Sequence, residues 1–183
     1  MNKKDRFVKI SEFVPNLIVS LQYATKENIT GQVIYPFKEA YLRQGTAEKL
    51  LFTQEKLQKT GHQLIIWDAF RPVYAQFLLW QAVPEATFVA DPRSGYSNHS
   101  KGNTLDVTLA DHAGHLLPMP TGFDAITQKA NRAYEGISKE AKENALYLEE
   151  AMCTAGFTGY FHEWWHYEDT EVYPVEHQFL PAE

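Results

Sequence analysis

The spacing of apolar positions predicts mixed elements along this chain. Residues 17–23 are apolar and partly alternating, as in a strand. Residues 46–60 read as a helix. Thr46 stands at its cap, Ala47, Leu50, Leu51 and Leu57 fall near helical spacing, and Gly61 follows its end. The apolar run 63–67 predicts a short buried strand, and Pro72 opens a helix reaching about Val83. Leu105, Val107 and Leu109 alternate with Asp106 and Thr108, again a strand. The clearest helix is 138–155, with Ser138 at its cap and Gly156 just beyond. The aromatic run 157–167 reads as strand. Asp111 to Gly114 reads as a hairpin turn, and 91–98 as a loop inside the domain. Strands and helices without regular βαβ alternation indicate an α+β class.

Composition narrows the classes. The 183 residues are 44% hydrophobic and 22% charged, which suits one globular domain spanning 1–183. The net charge of −6 disfavours a nucleic-acid or anionic-membrane surface. A single cysteine, Cys153, excludes an intrachain disulfide and a cysteine zinc knuckle; on the clearest helix it is expected as buried packing. No apolar run of signal-peptide or membrane-span length is visible, so a cytoplasmic location is expected.

Two segments put histidine beside carboxylates. In the first, His99 precedes Asp106 by seven residues, an odd separation that faces opposite sides of an unbroken strand. Gly102 and Asn103 between them can make a turn or bulge that aims both at one point. Asp106 lies between Leu105 and Val107, so on a buried face it needs a partner or a metal. The second segment, His162, Glu163, Trp164, Trp165, His166, matches H-E-x-x-H. Read as a zincin helix, it uses His162 and His166 as ligands and Glu163 as base, although its aromatic residues favour strand. Merging the segments gives another set: His99, Asp106 and His166 as three ligands with Glu163 as the base. On a regular strand Glu163 and His166 face opposite ways, so that set requires a twist or bulge, or a site lying between base and ligand.

Taken together, the motifs resemble the D-alanyl-D-alanine dipeptidases of the zinc DD-peptidase superfamily (the VanX-like family). Ser97, His99, Gly102 and Asp106, followed by Glu163, Trp164, Trp165 and His166, carry the resemblance. Gln22, Tyr23, Ala24 and Thr25 with Asn28 to Gly31 look like that family's first strand and loop. Asp68, Ala69, Phe70, Arg71 and Pro72 look like its arginine motif, and Gly122, Phe123 and Asp124 like its Phe-Asp segment. The likeness runs in order from about Phe13 to Tyr173. It implies a hedgehog-like α+β fold with a central antiparallel sheet flanked by helices. It implies one zinc ion per chain, held by His99, Asp106 and His166, leaving His162 aside. Glu163 would then be base and acid, Arg71 the stabiliser of the tetrahedral intermediate, and Asp124 the partner of the substrate ammonium. Ser97 and Tyr23 would be further substrate contacts. The implied reaction is hydrolysis of D-Ala-D-Ala, with a stem-peptide carboxypeptidase or a non-catalytic zinc- or peptide-binding domain as alternatives. Arg71, Lys101 and backbone N–H groups are candidates for the substrate carboxylate. The chain departs from the family pattern at Thr104, where alanine is usual, and at Lys101, where arginine is common.

Overall fold

The computed structural model describes residues 2–87 and 89–181. The elements run β1 (Phe7–Lys9), α1 (Ile10–Phe13), β2 (Ile18–Val19), β3 (Tyr41–Arg43), α2 (Gln44–Gln58), β4 (His62–Asp68), α3 (Val73–Ala82), β5 (Thr104–Asp111), α4 (Lys139–Thr154), β6 (Phe157–Gly159) and β7 (His166–Asp169). Short 3-10 turns occur at Gln22–Ala24 and Asn98–Lys101, among others. This is an α+β arrangement. A five-stranded sheet has the order β2-β4-β5-β7-β6, and β1 pairs with β3 in a separate ribbon. The central pairings are antiparallel, while β2 joins β4 in parallel.

Helices α2 and α4 pack against each other and against the sheet. Leu64 and Ile66 of β4 pair with Leu109 and Val107 of β5, and Leu105 pairs with Tyr167 of β7. All six are fully buried. The next residue of this parity on β7, Asp169, accepts a hydrogen bond from Thr46 and an ion pair from Lys49, both on α2. That marks the helix-covered side. Asp106, Thr104, His166 and Glu168 occupy the other side, because side chains alternate along a strand. Helix α4 follows its sequence signals closely: Ser138 Oγ accepts from Ala141 N, and Gly156 takes the left-handed conformation at φ 95°.

Four expectations change. The strand predicted over 17–23 pairs only at Ile18–Val19, because the Tyr23 carbonyl accepts from the N–H groups of both Ile34 and Tyr35 in a turn. Helix α2 begins two residues before Thr46, with Gln44 N donating to the Arg6 carbonyl; Thr46 is internal and its hydroxyl serves Asp169. The run 157–167 is two strands separated by a turn. Cys153 is exposed, not buried. The hairpin turn at 111–114 forms, with Gly114 at φ 88° and Ala110 bridged to Leu116.

The turn between β6 and β7 is imposed from a distance. Arg132 donates to the carbonyl oxygens of Tyr160, Trp164 and His166. A side chain at Gly159 would overlap that guanidinium. Trp164 and Trp165, both fully buried, anchor the turn in the core, as their apolar character predicts. Among the described residues, no helix is long and apolar enough to cross a membrane.

Candidate metal centre

Asp106 comes from the buried strand β5, paired with His166 at the start of β7. His99 sits on the 3-10 turn before β5, whose cap is Ser97: Ser97 Oγ accepts from His99 N at 3.2 Å. Gly102, at φ 77°, ends that turn and brings His99 back over Asp106. Thus Gly102 resolves the odd spacing noted above.

The three side chains present ligand atoms within 4.8 Å of one another. His99 Nε2 lies 3.3 Å from His166 Nδ1 and 3.4 Å from Asp106 Oδ2. His166 Nδ1 lies 3.1 Å from Asp106 Oδ1. A tetrahedral zinc with bonds of ~2.0–2.1 Å needs its ligand atoms ~3.3 Å apart. The far nitrogens are engaged elsewhere. His99 Nδ1 donates to the Ala69 carbonyl at 2.8 Å, and His166 Nε2 donates to Glu168 Oε1 at 3.1 Å. Asn98 holds that same Glu168 oxygen at 2.7 Å. Two imidazole lone pairs and a carboxylate therefore converge on one point, a donor set suited to a divalent cation. Without one, burial opposes the imidazolium of His166, but its bonds to Asp106 and Glu168 prevail and lift it to about 10, so a bound cation takes the place of the proton that Nδ1 shares with Asp106. Burial likewise opposes ionisation of Asp106, yet the two imidazoles hold its carboxyl well below the usual range.

Glu163 lies on the turn between β6 and β7, with Oε2 3.6 Å from His166 Nδ1. The turn supplies the change of direction that strict strand parity denies. Burial pushes Glu163 up to about 8, against the pull of His166 and with a further push from Asp106 and Asp124. Arg71, at the junction after β4, is buried among fixed partners. It donates to Asp68 Oδ2 through Nε and Nη2, to Tyr35 through Nε, and to Gln76 Oε1 through Nη1. Its guanidinium stacks over the Tyr23 ring at 5.1 Å. Tyr23 in turn donates to Asp124 Oδ2 at 2.8 Å. Asp124, with φ 54°, is raised to about 7, chiefly by burial.

These residues line one cleft of about 200 Å³, which contains Tyr23, Arg71, Ser97, His99, Asp106, Asp124, Glu163 and His166. That volume is below the usual range for drug-sized ligands and suits a molecule of few atoms. Lys101 does not line the cleft; its carbonyl accepts from Arg43. His162 is exposed and packs on Tyr160 and Phe161, outside the ligand cluster and not on a helix, so the zincin set is not assembled. Thr104 is wholly buried and leaves the three ligands in place. Sequence reasoning missed Glu168, Asn98 and Arg132 as supports. Glu168 had a signal, since it stands two residues from His166 on one strand face.

A family model described as D-ala-D-ala dipeptidase matches residues 3–182. A D-alanyl-D-alanine dipeptidase from Escherichia coli (strain K12) is 37% identical over 168 residues, covering 92% of this chain and 86% of the relative. One from Enterococcus faecium is 31% identical over 197 residues, covering 96% and 98%. One from Enterococcus faecalis is 30% identical over 189 residues, covering 92% and 94%.

Proposed function

The chain belongs to the D-ala-D-ala dipeptidase family, and from that premise we propose that it hydrolyses free D-Ala-D-Ala to two D-alanines with one zinc ion per chain. The observation that carries the reading is the convergence of His99 Nε2, His166 Nδ1 and Asp106, with the far nitrogen of each ring donating elsewhere, beside Glu163 and Arg71. Zinc held there supplies Lewis acidity, which polarises a carbonyl and makes water acidic near neutral pH.

The chain's own residues do the rest. Glu163 takes a proton from the attacking water and delivers it to the leaving amine nitrogen. A carboxyl placed to pass that proton is worth about 10²–10⁴ in rate. Arg71 donates N–H to the carbonyl oxygen as that oxygen gains charge. One such donor contributes about 3 kcal/mol. Each terminal nitrogen of Arg71 uses one N–H on its buried partners and carries a second for the cleft. Asp124, oriented by the Tyr23 hydroxyl, receives the substrate ammonium. Ser97 keeps a hydroxyl proton for substrate after accepting from His99 N.

We place the reaction in the cytoplasm, on a free dipeptide; the small cleft supports that choice of substrate. The test is D-alanine release by purified protein, with and without a chelator. Rapid release that a chelator abolishes and zinc restores is the expected result. No release from zinc-loaded protein overturns the reading, and release only from N-acylated stem peptide indicates the carboxypeptidase instead.

A further inference from the structure

Asp68 ends β4 at a bulge. Ile66 pairs with Val107, and the next pairing is Asp68 with Asp106, so Trp67 is the extra residue. The bulge brings two carboxylates into cross-strand register, an arrangement that costs stability unless each has its own countercharge. Asp106 faces the imidazoles. Asp68, with a fully buried side chain, faces the guanidinium.

Donors surround Asp68. Its Oδ2 accepts from Arg71 Nη2 at 2.6 Å and from Nε at 3.2 Å. Its Oδ1 accepts from the Tyr35 hydroxyl at 2.8 Å and from Ala69 N at 2.9 Å. The Tyr35 hydroxyl also receives Arg71 Nε at 3.3 Å. On the other side Gln76 accepts from Nη1, and its own amide is tied to the Ala90 carbonyl. The guanidinium is thus held along two edges, with the Tyr23 ring across its face. A long arginine side chain has costly rotamer freedom, and this frame removes it before substrate arrives.

We propose that Asp68 is the positioning residue for Arg71: it fixes the guanidinium plane so that the remaining N–H groups meet the oxyanion. The inference rests on the reading of Arg71 as that donor. His99 Nδ1 lies 3.5 Å from Asp68 Oδ2, but its hydrogen bond goes to Ala69 O. Asp68 therefore acts on Arg71 and not on metal retention.

Asp68→Asn preserves volume but turns an acceptor into a donor facing Arg71. The expected result is a fall in kcat of about 10²-fold with KM little changed and zinc content at the wild-type level. In an Arg71→Ala background the same substitution costs almost nothing more, since the group it positions is gone. Guanidinium chloride, at a sub-denaturing concentration, restores part of the turnover of Arg71→Ala, because the vacated frame still binds it. It restores none to Arg71→Ala/Asp68→Asn. A purely structural role leaves that rescue intact. Wild-type kcat in Asp68→Asn, additive losses, undiminished rescue or loss of zinc each overturn the proposal. If Asp68→Asn does not fold, Tyr35→Phe tests the same frame: about tenfold lower kcat, non-additive with Arg71→Ala, supports it, and unchanged kcat overturns it. Wild-type protein that releases no D-alanine defeats the reading of the site itself. An active wild type with an additive cycle defeats only the role of Asp68.

Discussion

His99 Nε2 and His166 Nδ1 face each other across 3.3 Å, and the far nitrogen of each ring donates its N–H away from the gap. The outer partners differ in kind. His99 relies on a backbone carbonyl, Ala69 O, which no side-chain substitution removes. His166 relies on the carboxylate of Glu168, itself held by Asn98. The two imidazoles are therefore oriented with unequal security, and the second can be weakened without touching a ligand.

From this, His99→Ala, Asp106→Ala and His166→Ala should each lose zinc, measured by metal content after gel filtration. His162→Ala should keep both zinc and turnover. Glu168→Gln should retain the fold but bind zinc about 10–100-fold more weakly, the usual cost of losing an outer partner. Zinc lost from His162→Ala and kept by His99→Ala would return the zincin set.

Glu163→Gln should separate metal from chemistry. Its carboxyl is not one of the converging atoms, so zinc content should match wild type. Turnover should fall about 10²–10⁴-fold, because the proposed proton carrier is gone. Near-wild-type kcat in this variant would remove Glu163 as the base.

The proposed contact of Asp124 with the substrate ammonium predicts a pH dependence of substrate capture. Burial raises it to about 7, so its carboxylate is present above that pH and lost below it. KM for the dipeptide should rise by about tenfold per pH unit below 7, where the neutral carboxyl holds an ammonium poorly. Above about 8 the substrate amine itself deprotonates, and KM should rise again. Asp124→Asn should raise KM throughout and flatten the acid limb, while kcat changes less. An acid limb unchanged in Asp124→Asn would assign it to another group.

The parts of this architecture that local chemistry dictates were legible. Strand β5 announces itself by alternation, and α4 by Ser138 and Gly156. The order of motifs brought together the residues that line the cleft. What escaped was imposed over distance. The residues 160–165 favour strand by type, but Arg132, donating from far back in the chain to the carbonyls of Tyr160, Trp164 and the following His166, bends them into the turn that carries Glu163. Likewise α2 starts early because of a bond from Gln44 N to Arg6, on the other side of the β1–β3 ribbon. The bulge that turns Asp68 toward Arg71 has no residue signature, since Trp67 is an ordinary strand residue.

Gly102 tests whether the metal geometry depends on one backbone conformation. It holds φ at 77°, where a Cβ is strained, and an added Cβ would lie 2.5 Å from Phe7 Cε1. Phe7 cannot retreat freely, because it stacks on Phe179 at 4.3 Å and packs on Phe70 at 4.6 Å. Gly102→Ala should therefore cost about 1–3 kcal/mol, combining left-handed strain with displacement of that cluster. At roughly 2–4 °C per kcal/mol for a chain of this size, the melting temperature of zinc-free protein should fall by several degrees. The substitution should also weaken zinc, because Gly102 N donates to the His99 carbonyl and the turn sets where His99 stands over Asp106. A variant with a lowered melting temperature but unaltered zinc affinity would show that the ring of His99 is held by Ala69 alone, and that the turn serves stability and not the metal.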